Sequence, residues 1–244
     1  MSSSFYKKIK DSSFFKSFME DVRKQNSIRG EILKGMYFNS TVADSEWFKY
    51  KNVCPGEWAA DYGLLYTIYR ALNSMKPKSI VEFGLGQSSK LIHQYANYFG
   101  AEAVTFEHDR QWVDFFNEGR DGKYDIRVEL VDLETVSYKG FETVTYKDID
   151  NILRGRKFDF VLVDGPFGSD HYSRSEVIGI ARNNLAGSFC IIMDDTDRHE
   201  EEETALEVMD VLRQQSVEFC TVTHSALKKH TIICSADMKF LTTL

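Results

Sequence analysis

The sequence predicts an α/β fold, a doubly wound seven-stranded sheet that is mostly parallel and ends in an antiparallel hairpin, and three observations carry that prediction. From residue 77 onward, short apolar runs alternate with amphipathic stretches of ten or more residues. That rhythm belongs to βαβ units, whose sheet is covered by helices on both faces. The first apolar run ends in a glycine turn that opens a helix, Glu82-Phe83-Gly84-Leu85-Gly86-Gln87-Ser88. The last two runs are separated only by residues 223–229, too few for a parallel crossover, so they must pair antiparallel.

Taken in order, residues 1–54 are expected to form a helical extension or lid. Phe5, Phe14, Phe15, Phe18 and Met19 recur there at roughly helical spacing, with Phe38 and Trp47 further on. Residues 55–244 then form the main domain. A helix over 57–74 leads into it, with Trp58, Tyr62, Leu65, Tyr69 and Leu72 on one face and Pro55 at its start. Strands are expected at 79–83, 103–107, 126–131, 158–163, 188–193, 217–223 and 230–235. Helices are expected at 87–99, 110–118, 146–153, 173–184 and 199–214. The result is a Rossmann-like sheet whose terminal hairpin departs from ordinary dinucleotide-binding folds.

Composition narrows the function classes. With 244 residues, 43% of them apolar, the chain has material for one sizeable core plus an extension. The net charge of −7 gives no positive field to gather nucleic acid or an anionic membrane surface. Cys54, Cys190, Cys220 and Cys234 form no C-x-x-C pair and read as free thiols of a reducing compartment. No run of 18 apolar residues occurs, so a soluble, cytoplasmic protein is expected, with the oligomeric state open.

The glycine turn is the first candidate for chemistry. Gly84 and Gly86 follow a strand and precede a helix, where a doubly wound sheet opens its ligand crevice. The pyrophosphate fingerprint needs a third glycine, and that position is Ser89. A cofactor without phosphates fits better, and S-adenosyl-L-methionine is such a cofactor. Its amino-acid end would meet the turn at Gly84, Gly86 and Ser88, with Glu82 acting on the ammonium directly or through water. Glu107 ends the second strand 21 residues after Gly86, the interval at which an acid accepts hydrogen bonds from ribose hydroxyls. Asp109 competes with it, or caps the next helix. Asp132 stands where an adenine amino group would be bound.

Three aspartates follow the fourth and fifth strands: Asp164 in Val163-Asp164-Gly165-Pro166, and the pair Asp194-Asp195. Clustered carboxylates beside a cofactor pocket serve a cation or a proton transfer. Either Asp164 is the general base for an acceptor hydroxyl, or Asp164, Asp194 and Asp195 hold a divalent metal ion that acidifies it. His171 is the alternative base or metal ligand. Arg174 is the candidate for holding an anionic substrate group, ahead of Arg182 and Arg198. The acidic run after His199 opens a helix, where carboxylates favour the dipole.

Glu82-x-Gly84-x-Gly86, Glu107 and Asp164 together resemble the class I methyltransferases. A narrower likeness is to the plant glucuronoxylan 4-O-methyltransferases and related polysaccharide methyltransferases. It rests on Phe83-Gly84-Leu85-Gly86-Gln87-Ser88, Val104-Thr105-Phe106-Glu107-His108-Asp109, Val163-Asp164-Gly165-Pro166, Ala181-Arg182-Asn183 and Asp195-Thr196-Asp197-Arg198. The resemblance implies O-methylation of a sugar hydroxyl, with a uronic acid as the acceptor type. Two departures accompany it: plant members carry an N-terminal membrane anchor, and Asp195 stands where the family tends to have histidine. Asp194-Asp195 also looks like the Asp-Asn pair of metal-dependent catechol-type O-methyltransferases. A small-molecule acceptor is therefore the alternative, and a non-catalytic cofactor-binding protein is the third.

Overall fold

The computed structural model describes residues 13–56, 59–120 and 122–243. Phe5 and the Glu57-Trp58 start of the expected second helix lie outside these residues, as does the Phe14 side chain. The elements run α1 (Ser13–Val42), α2 (Tyr62–Met75), β1 (Ser79–Phe83), α3 (Gln87–Phe99), β2 (Glu102–Glu107), α4 (Arg110–Arg120), β3 (Val128–Leu130), β4 (Leu133–Tyr138) and β5 (Phe141–Tyr146). They continue with α5 (Ile149–Ile152), β6 (Phe158–Val163), α6 (Glu176–Asn183), β7 (Leu185–Met193), α7 (His199–Gln214), β8 (Phe219–Ser225) and β9 (Lys229–Ser235), and a 3₁₀ turn, Ala236–Thr243, follows.

The main sheet has the order β3-β2-β1-β6-β7-β9-β8. Its first five strands pair in parallel, and β9 lies antiparallel between β7 and β8. Strand order reverses between β1 and β6, so the crevice of a doubly wound sheet falls at their carboxyl ends.

Alternation along each central strand divides the core. Val81, Phe83, Phe158, Val161, Val163, Ile191 and Met193 face α6, α7 and the β4–β5 region. Ile80, Phe160, Leu162, Cys190, Ile192 and Ile232 face the α2 side. Strands buried on both faces read as continuous apolar runs, which is why this part of the sheet was legible. All four cysteines are free thiols.

Three expectations change. The helix over 57–74 begins not at Pro55 but after Asp61, whose carboxylate accepts the Leu64 amide at 2.7 Å and so caps α2. The helix expected over 146–153 is a single turn, α5, preceded by a two-stranded hairpin that pairs Leu133 with Tyr146. Lys139 and Gly140 form its two-residue turn with φ of +50° and +89°, the double positive φ that matches strand twist. The extension is also no detached lid. Phe38, Val42, Trp47 and Phe48 are buried against α2, and Trp47 stacks on Tyr69 at 4.7 Å between centroids. Among the described residues, no helix is long and apolar enough to cross a membrane.

The α2 layer is expected to be integral to stability. Ile68 is fully buried there, whereas Ile152 is 40% exposed. Ile68→Ala should cost about 2–5 kcal/mol by urea denaturation, and Ile152→Ala less than about 0.5 kcal/mol.

Candidate active site

The crevice is built from two strand ends pressed together. Gly84 follows β1 with φ +93°, and a Cβ there would lie 2.8 Å from the Asp164 carbonyl oxygen. Gly165 returns the constraint, since a Cβ on it would lie 2.9 Å from the Gly84 Cα. Only glycines allow these turns to touch, and the contact opens a cleft of about 410 Å³. Gly84, Leu85, Glu107, Trp112, Tyr146, Asp164, Phe167, Arg174, Asp195 and Arg198 are among the residues that line it.

Glu107 is fixed by backbone donors. Its Oε2 accepts the Leu85 amide at 3.0 Å, and its Oε1 accepts the His108 and Asp109 amides at 2.7 and 2.9 Å. A carboxylate held by three N–H groups keeps a fixed direction, and this one borders the cleft. Asp109 caps α4 through the Gln111 and Trp112 amides at 2.8 and 3.2 Å. The Trp112 indole donates to the Leu85 carbonyl at 2.6 Å, so both α4 and the end of β2 grip the glycine turn.

Glu82, Ser88 and Gly86 do not face the cleft as expected. Glu82 is fully buried, and its oxygens accept the Ser88 and Thr105 hydroxyls, each at 2.6 Å. The Gly86 amide donates to Ser89 Oγ at 2.9 Å. These residues bind the turn to β2 from behind. Burial pushes the Glu82 carboxyl up to about 7, against the hydrogen bonds from Ser88 and Thr105.

Asp132 and His171 also lie away from the cleft lining. Asp132 is exposed and precedes the β4–β5 hairpin, because the chain turns into that hairpin where the sequence suggested a strand end facing the pocket. The His171 ring packs on Phe141 at 4.0 Å between centroids, and its Nδ1 lies 3.0 Å from Glu203 of α7.

Arg174 is buried rather than offered to a ligand. It is 4% exposed with φ +60°, and its guanidinium donates to Asp195 Oδ2 at 2.8 Å and to the Asp194 carbonyl at 3.2 Å. It also lies 3.7 Å from Asp164 Oδ1 and 3.8 Å from Glu201 Oε1. Arg198 reaches Asp195 at 3.2 Å. Lys228, at the tip between β8 and β9, stands 3.4 Å from Asp194 and 3.3 Å from Asp195. The sequence reading missed Lys228, since nothing local ties a hairpin tip to a strand end 33 residues earlier.

The three aspartates do come together, with one oxygen of each within 4.8 Å of the others. Three cationic side chains already stand against them: Arg174 and Arg198 at Asp195, and Lys228 at both Asp194 and Asp195, where a cation would otherwise sit. The carboxyls divide the charge unequally. Burial pushes Asp194 well up, helped by Asp164 and Asp195. Burial also raises Asp164, against Arg174 and Lys228. Burial acts on Asp195 too, but Arg174, Lys228 and Arg198 outweigh it and hold its carboxyl below the usual range.

No protein-family model matches the chain, and neither does any curated protein. Solved structures do. A Staphylococcus aureus protein described provisionally as a caffeoyl-CoA O-methyltransferase aligns over 92% of this chain and 100% of its own, with 12% identity and a TM-score of 0.50. The chain has the class I methyltransferase fold. The SAH-bound Podospora anserina methyltransferase PaMTH1 aligns over 93% of this chain and 97% of its own, at 15% identity and a TM-score of 0.49. A methyltransferase from Pyrococcus furiosus covers 83% of this chain and 96% of its own, at 12% identity and a TM-score of 0.47.

The network behind the turn predicts a pH signature. A carboxyl raised from 4.5 to about 7 binds its proton more tightly in the folded state. Its contribution is therefore complete below pH 4.5 and is lost as pH rises through 7. The stability of Glu82→Gln relative to wild type should rise by about 3 kcal/mol between pH 4.5 and 8, read by urea titration at each pH. A pH-independent difference would contradict it.

Proposed function

We propose that this protein is an S-adenosyl-L-methionine-dependent O-methyltransferase acting on a sugar hydroxyl. The observation that carries the cofactor half is Glu107, a backbone-fixed carboxylate bordering the same cleft as the Gly84 turn and Asp164. Gly84, Leu85 and Glu107 would hold the cofactor, with Glu107 accepting the ribose hydroxyls. When bound, the cofactor supplies an electrophilic methyl group on a sulfonium that is already a good leaving group.

What remains for the protein is to hold the acceptor oxygen in line and to take its proton. Asp164 is placed for this. It borders the cleft, and burial raises its proton affinity against the lowering effect of Arg174 and Lys228. The acceptor class is supported by the sequence resemblance to polysaccharide methyltransferases and by two rings at the cleft. Phe167 is 69% exposed and Trp112 37% exposed, and an apolar ring face suits the C–H face of a pyranose. Arg198, 41% exposed on its side chain, would meet a uronate carboxylate at the cleft edge.

Isothermal titration with S-adenosylhomocysteine tests the cofactor half. Wild type should bind, and Glu107→Ala should lose about tenfold or more, in line with hydrogen bonds to a charged group. Undiminished binding would refute the site. Asp164→Asn should keep that affinity while kcat for methylation of glucuronic acid-bearing oligosaccharides falls about 10²-fold or more. Transfer to catechols alone would instead favour a small phenolic acceptor.

A further inference from the structure

Lys228 is held in place from three directions, although it lies on a hairpin tip. Its backbone amide donates to Asp61 Oδ2 at 3.1 Å, and Asp61 is the residue whose other oxygen caps α2. The next amide, of Lys229, donates to Asp197 Oδ1 at 3.1 Å, and the Lys229 carbonyl accepts the Thr196 amide at 2.9 Å. Ala226 packs so closely that a Cβ on Gly63 would lie 2.9 Å from its own. The tip is thereby fastened to the N-terminus of α2 and to the chain leaving β7. Its ammonium meets Asp194 Oδ2 and Asp195 Oδ1 at nearly equal distances, 3.4 and 3.3 Å.

The placement matters because of what else occupies the cluster. Arg174 approaches the same carboxylates from the loop before α6 and reaches Asp164 and Asp195. Among the described residues, Lys228 alone meets the side-chain carboxyls of both Asp194 and Asp195. Asp194 is 1% exposed, and its Oδ1 has no hydrogen-bond partner among the described residues. With the ammonium removed, the Asp194 carboxyl would lose its ion pair, whereas Asp195 would keep Arg174 and Arg198. An arrangement of that kind, three carboxylate oxygens within 4.8 Å, takes a hard divalent ion.

We infer that Lys228 is a positioning residue that occupies the place of a divalent cation, bridging Asp194 and Asp195 so that Asp164 stays free to face the acceptor. The kinetic part of this inference rests on the methyltransferase reading, whereas the ion-binding part does not. Lys228 is not itself in the cleft lining. Its effect passes through the aspartates.

The experiment is a Mn²⁺ titration followed by electron paramagnetic resonance, on the full chain, for wild type, Lys228→Met and Lys228→Arg. S-adenosylhomocysteine binding and the urea midpoint report whether each variant is folded. Wild type and Lys228→Arg should leave Mn²⁺ free at millimolar concentration, while Lys228→Met should bind one ion with a Kd on the order of 10⁻⁴ M. In steady-state assays without added metal, Lys228→Met should lose about tenfold or more in kcat, with KM for S-adenosyl-L-methionine unchanged, and Lys228→Arg should restore most of it. Mn²⁺ binding by wild type as tight as by Lys228→Met would overturn the inference, as would a folded Lys228→Met that neither binds Mn²⁺ nor loses kcat. If Lys228→Met does not fold, Lys228→Gln takes its place with the same expectations. If no variant has methyltransferase activity but the Mn²⁺ result holds, the proposed function fails and the ion-site inference stands.

Discussion

The architecture turns on one backbone contact. The Asp164 carbonyl occupies the space that a Cβ on residue 84 would need, and Gly84 Cα occupies the space of one on residue 165. Strand order reverses between β1 and β6, so these are the strand ends at which the sheet divides. Their close approach puts the turn after β1 and the acid after β6 in one cleft. The other features of the site hold that contact in position. Trp112 and Glu107 grip the turn from the β2 side, Glu82 ties it to Ser88 and Thr105 from behind, and Arg174 reaches both the Val163 carbonyl and Asp195.

Charge is the second constraint. Asp164, Asp194, Asp195 and Glu201 gather around Arg174, and a cluster of that kind is tolerated only with compensation. Arg174 and Asp195 both adopt left-handed backbone at φ +60° and +59°, conformations that cost energy for side-chain-bearing residues. They are ion-paired at 2.8 Å, so the strained conformations and the charge pair support one another. The Arg174 guanidinium, expected to hold a substrate anion, is thus engaged by Asp195 and the Asp194 carbonyl at the cleft lining.

Much of the fold was legible because it follows from local pattern. Ile80-Val81 and Phe160-Val161-Leu162-Val163 are apolar without interruption because both faces of their strands are covered. The β4–β5 hairpin was readable in principle, since Leu133 to Tyr138 and Phe141 to Tyr146 alternate and Lys139-Gly140 sits between them. That turn lacks the Asn-Gly or Asp-Gly signature, so the sequence reads a strand end at Asp132 where the chain enters the hairpin. Gly84, Glu107 and Asp164 were legible as neighbours of one cleft because the strand ends that bear them are set by topology. Which way Glu82, Arg174 and His171 turn was not, because each is decided by a partner distant in sequence: Thr105, Asp195 and Glu203. Lys228 carries no local mark at all, and its role depends on Asp61, 167 residues earlier.

In the proposed function, the cleft at the β1–β6 division holds S-adenosyl-L-methionine with its ribose on Glu107. A crystal of the protein soaked with S-adenosylhomocysteine tests this. Ligand density is expected between the Gly84-Leu85 turn and the Glu107 carboxylate, with both ribose hydroxyls within hydrogen-bond distance of Glu107 and the sulfur turned toward Asp164. Density at another place in the molecule, or a ribose held by an acid other than Glu107, would contradict it.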